Sequence, residues 1–368
     1  MGGPPDGPGG PVLITGGAGF IGSNLADRIA GEGRDVIVYD ALSRPGVERN
    51  LAWLQERHGG RIRSVKADIR DAEALTGAAR EAAAVFHFAA QVAVTTSLAD
   101  PRDDFAINLQ GTLNILEALR ASGRRTPVVF ASTNKVYGDL ADVPLALEGD
   151  AYAPTDPALR ARGVSEERPL DFHTPYGCSK GAADQYVLDY ARSYGLPTAV
   201  LRMSCIYGQR QMGTEDQGWV AHFLIRALAG EPISIYGDGR QVRDVLDVKD
   251  AVDAYMACWS RIEAVSGQAF NLGGGPDNAI SLRQLIAHIE ELVGRKVETR
   301  YSDWRAGDQR YYVSDPSRAR SALGLGEPTP WRDGVARLAA WLEGERSSRA
   351  GRAAPAPQNV DSRLEAAS

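Results

Sequence analysis

The chain has 368 residues, 43% hydrophobic and 24% charged, a balance that excludes a disordered chain and allows one large domain or two ordinary ones. Its 41 basic and 47 acidic residues give a formal net charge of -6, which argues against a general nucleic-acid surface while leaving room for a local basic groove. No apolar run approaches the roughly 20 residues of a membrane helix, and Cys178, Cys205 and Cys258 lack metal-ligand spacing and suit a reducing cytoplasm.

Residues 1–10, "MGGPPDGPGG", have neither the charged nor the apolar region of a signal peptide and read as a disordered leader. From Pro11 the chain alternates buried-strand and helix patterns. Strands are expected at "PVLIT", "DVIVYD", "IRSVKAD", "AVFHFAA", "PVVFAS" and "PTAVLRM". Helices are expected at 22–31, 71–82, about 103–122 and about 175–194. Such alternation predicts an α/β fold, a doubly wound parallel sheet that binds ligands at the carboxyl ends of its strands. Residues 11–205 are assigned to this domain and 206–344 mainly to a smaller C-terminal α/β substrate lobe, with helices near 219–229, 248–260 and 281–293. The boundary is soft, because elements of the lobe can return to the main sheet. Residues 345–368, rich in Ala, Pro, Ser and Arg, read as a disordered tail.

"VLITGGAGFIGSNLADRIA" spaces Gly16, Gly19 and Gly22 between a strand and a helix. Gly16 permits the tight turn, Gly19 lets a pyrophosphate approach the backbone, and Gly22 lets helix and strand pack closely. Phe20 and Ile21, between Gly19 and the helix expected from Gly22, are further expected cofactor positions, next to a helix N-terminus that favours negative charge. Asp40 ends the second strand, where a carboxylate accepts from a ribose diol and repels a 2′-phosphate; NAD is therefore expected over NADP, with Arg44 a counter-signal. Asp68 and Ile69 follow the third strand, on the adenine side, although Asp68 reads equally well as a helix N-cap. Ala89 and Ala90, in "HFAAQ", leave room for a cofactor.

"TPYGCSKGAADQY" puts Tyr176 and Lys180 on one helical face. A nearby ammonium favours the phenolate and fits the tyrosine for acid–base work. Thr133, in "ASTNKVYGD", follows a strand and can complete the set with a hydroxyl; it can also be a turn hydroxyl. His87 and His222 read as packed residues.

Together these residues resemble the extended short-chain dehydrogenase/reductase family, in its nucleotide-sugar branch, over about residues 12–341. The resemblance implies a Rossmann domain with a small substrate lobe. It implies Thr133, Tyr176 and Lys180 as catalytic triad, and Gly16, Gly19, Gly22, Asp40, Asp68 and Ile69 as cofactor positions. Sugar-nucleotide 4,6-dehydratases of this branch carry Thr-Asp-Glu where this chain has Thr133-Asn134-Lys135, so elimination of water is poorly supported. "STNKVYGD" and "LRMSCIYGQRQMGTEDQGWVAHF", with Cys205 where many relatives have Asn, are similar to the CDP-tyvelose (CDP-paratose 2-) epimerase subfamily. Gln209, where Pro is common, departs from the pattern in a loop.

The resemblance thus implies NAD-dependent epimerisation of a nucleotide sugar, a CDP-sugar favoured, at C2 through a transient 2-keto sugar. It implies Arg243 and Arg305 on the diphosphate and Asp308 on the nucleotide ribose, with Cys205, Arg210 and Gln217 as further substrate contacts; Asn134 is a candidate substrate contact too, and both it and Lys135 can equally meet cofactor or backbone. A homodimer through helices near 104–122 and 176–194 is also implied. The alternatives are a C4 epimerase or other oxidoreductase of the branch and, more remotely, a non-catalytic dinucleotide-sensing protein.

Overall fold

The computed structural model describes residues 9–305 and 307–353. Most of the expected leader, and the expected tail beyond 353, lie outside the described residues.

Seven short strands form one parallel sheet: β1 (Val12–Thr15), β2 (Val36–Asp40), β3 (Ile62–Lys66), β4 (Ala84–His87), β5 (Val128–Thr133), β6 (Thr198–Met203) and β7 (Gln268–Leu272). The order across the sheet is β7-β6-β5-β4-β1-β2-β3. The inner strands β1, β2 and β4 read as nearly continuous apolar runs because both faces are covered, while the edge strand β3, Ile-Arg-Ser-Val-Lys, is largely exposed. Ile14, Val38, Phe86 and Ala131 pack on one side, against the helices Phe20–Gly31 and Val248–Ser260. Leu13, Ile37, Val85 and Phe130 point to the other, against the helices Ala72–Glu81, Gly111–Ser122 and Thr174–Tyr194. From β1 the chain goes outward to β2 on one side, and β4 flanks it on the other, with Thr15 level with both Tyr39 and His87. That reversal of strand order opens a crevice at the carboxyl ends of β1 and β4.

The second lobe is built on the strand Val242–Asp247, which pairs with Cys205–Tyr207, Ala279–Ser281 and Tyr311–Tyr312. The helices Trp219–Ala229, Leu282–Val293 and Trp331–Ala353 cover it. As the soft boundary allowed, β7 and Val248–Ser260 return from the lobe region to the main sheet.

Three local expectations change. The helix expected at about 103–122 contains a π-helical stretch at Ala106–Gln110, which includes Asn108, whose amide turns inward to Asp104 and Ser179. A hairpin, Leu145–Glu148 with Ala151–Pro154, lies between β5 and β6 in sequence. Its Leu145 and Ala151 pack on Val242, Tyr311 and Val313 of the lobe. The helix Trp331–Ala353 runs past Gly344 into the segment expected to be a tail. Glu345, Arg346 and Ala350 are good helix formers and the next proline is Pro355. No helix among the described residues is long and apolar enough to cross a membrane.

Candidate active site

The glycine turn after β1 is shaped by what a side chain would strike. Gly16 has φ +69, and a Cβ there would lie 2.7 Å from the Ala89 nitrogen. A Cβ on Gly22 would lie 2.3 Å from the Gly16 carbonyl oxygen. Gly19 caps the following helix without a side-chain hydrogen bond, and no acidic residue occupies the first turn. The helix N-terminus therefore meets an anion through bare backbone.

A cavity of about 350 Å³ runs along this turn, lined by Gly16, Gly19, Phe20, Ile21, Gly22, Asp40, Asp68, Ile69, Ala89, Ala90, Tyr176 and Lys180 among others. Every cofactor position expected from sequence lines it. Asp40 accepts from the Ala18 and Leu42 amides at 3.0 and 2.8 Å; burial raises its pKa and these N–H groups oppose the rise. Asp68 is not the helix N-cap. Asp71 takes that place, accepting from the Ala74 amide, while the Asp68 carboxylate is held by Arg70, which keeps its pKa low.

A second cavity, of about 280 Å³, is lined by Thr133, Asn134, Lys135, Cys205, Gln217, Trp219, Tyr236, Arg243, Arg305 and Asp308 among others. The two cavities share Val92, Tyr176 and Gln217. Tyr176 thus stands in a common wall, with Lys180 on the dinucleotide side and Thr133 on the other.

Burial pushes the Tyr176 phenol up to about 12, and the nearby Thr133 hydroxyl is the one influence pulling it back; in this arrangement that hydroxyl donates to the Asn134 side-chain oxygen at 3.3 Å. The expectation that Lys180 holds the phenol down is not met in this arrangement. Lys180 donates to the Ala131 carbonyl at 2.6 Å and lies 4.1 Å from the Phe130 ring centre. Burial pulls its own pKa down to about 7, against Asp184 and Asp104.

Beyond Thr133, β5 turns into the short helix Asn134–Tyr137, which Thr133 caps. Asn134 donates to Gln309 at 3.1 Å, and Gln309 donates to the Gly138 carbonyl at 2.6 Å. Lys135 donates to the Gly307 carbonyl at 3.1 Å. Arg243 donates to Asp308 at 2.6 Å and to the Val242 carbonyl at 2.8 Å. Arg305 lies 3.8 Å over the Tyr236 ring, donates to the Glu215 carbonyl at 3.0 Å and faces Asp216 at 3.4 Å. The Cys205 sulfur accepts from the Trp219 indole at 3.4 Å, and burial raises its pKa.

Arg210 is the misplaced expectation. It lines the dinucleotide cavity only, its guanidinium 3.9 Å over Trp53 and 5.4 Å from the Trp341 ring centre. Its backbone φ of +69 accompanies this course away from the second cavity. His87 is buried between the Thr15 and Thr112 hydroxyls at 2.7 and 2.9 Å, and His222 lines neither cavity.

Sequence reading missed the network behind the site. Arg202 grips Asp184 through two hydrogen bonds of 2.9 Å, and Ser132 donates to the same carboxylate at 2.7 Å. This ties the helix of Tyr176 to β5 and β6. Its sequence signal is Arg202 itself, a charge inside the apolar run "PTAVLRM". Gln309 and Tyr236 also escaped notice, though Gln309 lies in "DWRAGDQR" beside Asp308.

A parallel sheet in this strand order, a glycine cradle that a Cβ would fill, and a Tyr–Lys pair between two cavities define a dinucleotide-dependent enzyme acting on a second bound molecule. Residues 12–273 match the NAD dependent epimerase/dehydratase family. The chain is 41% identical over 339 residues to the CDP-paratose 2-epimerase of Salmonella typhi, covering 90% of this chain and 98% of that protein. It is 36% identical to the UDP-glucose 4-epimerase of Mycolicibacterium smegmatis, over 89% of this chain and 96% of that one. Its structure is similar to that of the Thermus thermophilus UDP-glucose 4-epimerase in complex with NAD, with a TM-score of 0.75 and 31% identity, over 90% of this chain and 99% of the other. The chain belongs to the NAD dependent epimerase/dehydratase family. It is an NAD-dependent enzyme of nucleotide-sugar chemistry.

Proposed function

We propose that this enzyme inverts C2 of a nucleotide-linked sugar, the CDP-paratose/CDP-tyvelose pair or a close relative, without net redox change. The observation that carries the reading is Tyr176 in the wall shared by the two cavities. There one phenol reaches both the dinucleotide side and the sugar side. The 41% identity to a CDP-paratose 2-epimerase supports C2 and the cytidine nucleotide. Asn134 and Lys135, engaged with Gln309 and Gly307, supply no carboxylate where elimination of water would need one.

When bound, NAD supplies the acceptor for the C2 hydride and gives the hydride back. The chain handles the proton. Tyr176, as phenolate, takes it from the sugar 2-oxygen as the C2 carbonyl forms, and returns it after the 2-keto sugar has turned its other face. Thr133 orients the 2-oxygen, and its hydroxyl, which donates to Asn134 in this arrangement, steadies the phenolate by turning to it. With Lys180 facing Ala131 the phenol keeps its proton. Movement of that ammonium towards Tyr176 lowers the phenol pKa, because an adjacent positive charge favours the anion.

The test is incubation of the purified protein with CDP-paratose and, separately, CDP-tyvelose, followed by proton NMR. Interconversion is expected from either side. Failure in both directions with NAD bound sinks the C2 assignment. The 36% identity to a UDP-glucose 4-epimerase favours a second reading, inversion at C4, which UDP-glucose in the same assay addresses.

A further inference from the structure

The second cavity holds three cations, and they differ in how far they are already spent. Arg243 is neutralised by Asp308 at 2.6 Å and also holds the Val242 carbonyl. Arg305 is engaged by the Glu215 carbonyl, the Tyr236 ring and Asp216. Lys135 is different. Among the described residues its ammonium has one hydrogen-bond partner, the neutral Gly307 carbonyl at 3.1 Å, and no ion pair. It is only partly buried, yet burial and Arg243 together pull its pKa down to about 8, against Asp308. An ammonium carries three donors. Two of them have no protein partner among the described residues, on a side chain that lines the cavity.

Its place decides which anion. Lys135 follows Thr133 by two residues, and both line the cavity into which Tyr176 projects. In a sugar nucleotide, C2 is bonded to C1, the carbon that carries the diphosphate. C4 lies across the ring. Lys135 shares its cavity with Thr133 and Tyr176, so its ammonium suits the sugar-linked phosphate when C2, one bond from C1, is the reacting carbon, and suits it less when C4 is. We propose that Lys135 binds the phosphate attached to the sugar and thereby sets C2 against Tyr176, with Arg243 and Arg305 in support. This rests on the C2 reading and gives that reading a residue that selects the carbon.

Calorimetric titration of the NAD-loaded protein with CDP and with CMP, which lacks that phosphate, tests the assignment. Wild type is expected to bind CDP at least about tenfold more tightly than CMP. Lys135→Gln is expected to lose that preference and Lys135→Arg to keep most of it. An unchanged CDP-to-CMP ratio in Lys135→Gln overturns the proposal. Should Lys135→Gln not fold, wild type decides. Among its five lysines, the ¹⁵N side-chain signal of Lys135, identified by its absence from Lys135→Arg, is expected to shift with CDP and not with CMP. No shift with CDP overturns the proposal. The two readings fail separately. If wild type binds neither cytidine nucleotide, the cytidine reading fails, and UDP against UMP puts the same question to Lys135; no preference for the diphosphate in either series overturns the Lys135 assignment. Turnover at C4 with CDP still held by Lys135 overturns the link to C2.

Discussion

Lys180 donates its ammonium to the carbonyl oxygen of Ala131 at 2.6 Å, two residues before Thr133 on the same strand. The helix of Tyr176 is thereby fastened to the end of β5, and the cation that would favour the phenolate is held in reserve. Tyr176→Phe removes only the hydroxyl, so kcat should fall by about 10² to 10⁴ with the melting temperature nearly unchanged. Lys180→Met should also cost activity while leaving the protein no less stable at pH 6, because it removes a charge whose burial is unfavourable. Steady-state kinetics beside thermal melts check both; a Tyr176→Phe protein of undiminished kcat would remove the phenol from the chemistry.

The glycine cradle makes a steric prediction. A Cβ at Gly22 would lie 2.3 Å from the Gly16 carbonyl oxygen and 2.8 Å from the Gly17 Cα, and both neighbours are backbone. Gly22→Ala should push the helix off the turn and strip NAD from the protein. The NAD released on denaturing wild type and variant, measured by mass, is the readout. Equal content in both would mean the turn does not hold the cofactor.

Behind the site, Arg202 and Asp184 form a buried, bidentate ion pair. Removing one partner leaves the other charged and unpaired, at a cost of about 3–5 kcal/mol. Arg202→Met should therefore lower the urea midpoint sharply. The double change Arg202→Met with Asp184→Leu should recover a large part of the loss. If the single variant is as stable as wild type, the pair does not brace the sheet against the Tyr176 helix.

His87 gives a pH dependence with a definite sign. Burial, with Lys180 nearby, holds its folded pKa well below 6.5. It is neutral in the fold, between Thr15 and Thr112, and protonates first in the unfolded chain. Its contribution is therefore intact above about pH 6.5 and lost as pH falls from there towards the folded pKa, at up to about 1.4 kcal/mol per pH unit. Urea unfolding at pH 7.5 and 5.5 should show a smaller acid loss in His87→Gln than in wild type. Equal losses would mean that His87 is charged in the fold.

The parts of the fold and site that sequence reading reached are those written locally. The glycine turn is a strand, three glycines and a helix within a few residues. Tyr176 and Lys180 are one helical turn apart. The parts it missed depend on distant partners. Residues 268–272, Gln-Ala-Phe-Asn-Leu, are too polar to stand out as a buried strand, and only pairing with β6 makes them the seventh strand. The hairpin at 145–154 is half exposed and has no strong alternation. Arg243 and Asp308 are both recognisable as site residues, but that each neutralises the other across 65 positions is a fact of packing. So is the lack of an ion pair on Lys135 among the described residues. Arg210 was misdirected because a positive φ, which nothing in "YGQRQ" demands, accompanies its course onto Trp53.

The central claim is that the hydrogen removed from C2 is the one returned. The most direct measurement follows CDP-paratose carrying deuterium at C2, in ordinary water, with the NAD-loaded enzyme. The tyvelose product is expected to keep the deuterium at C2 and gain none elsewhere, because bound NAD would supply the acceptor that keeps the label from solvent. Loss of the label to solvent during epimerisation would contradict it, since C2 would then exchange as a proton rather than move as a hydride.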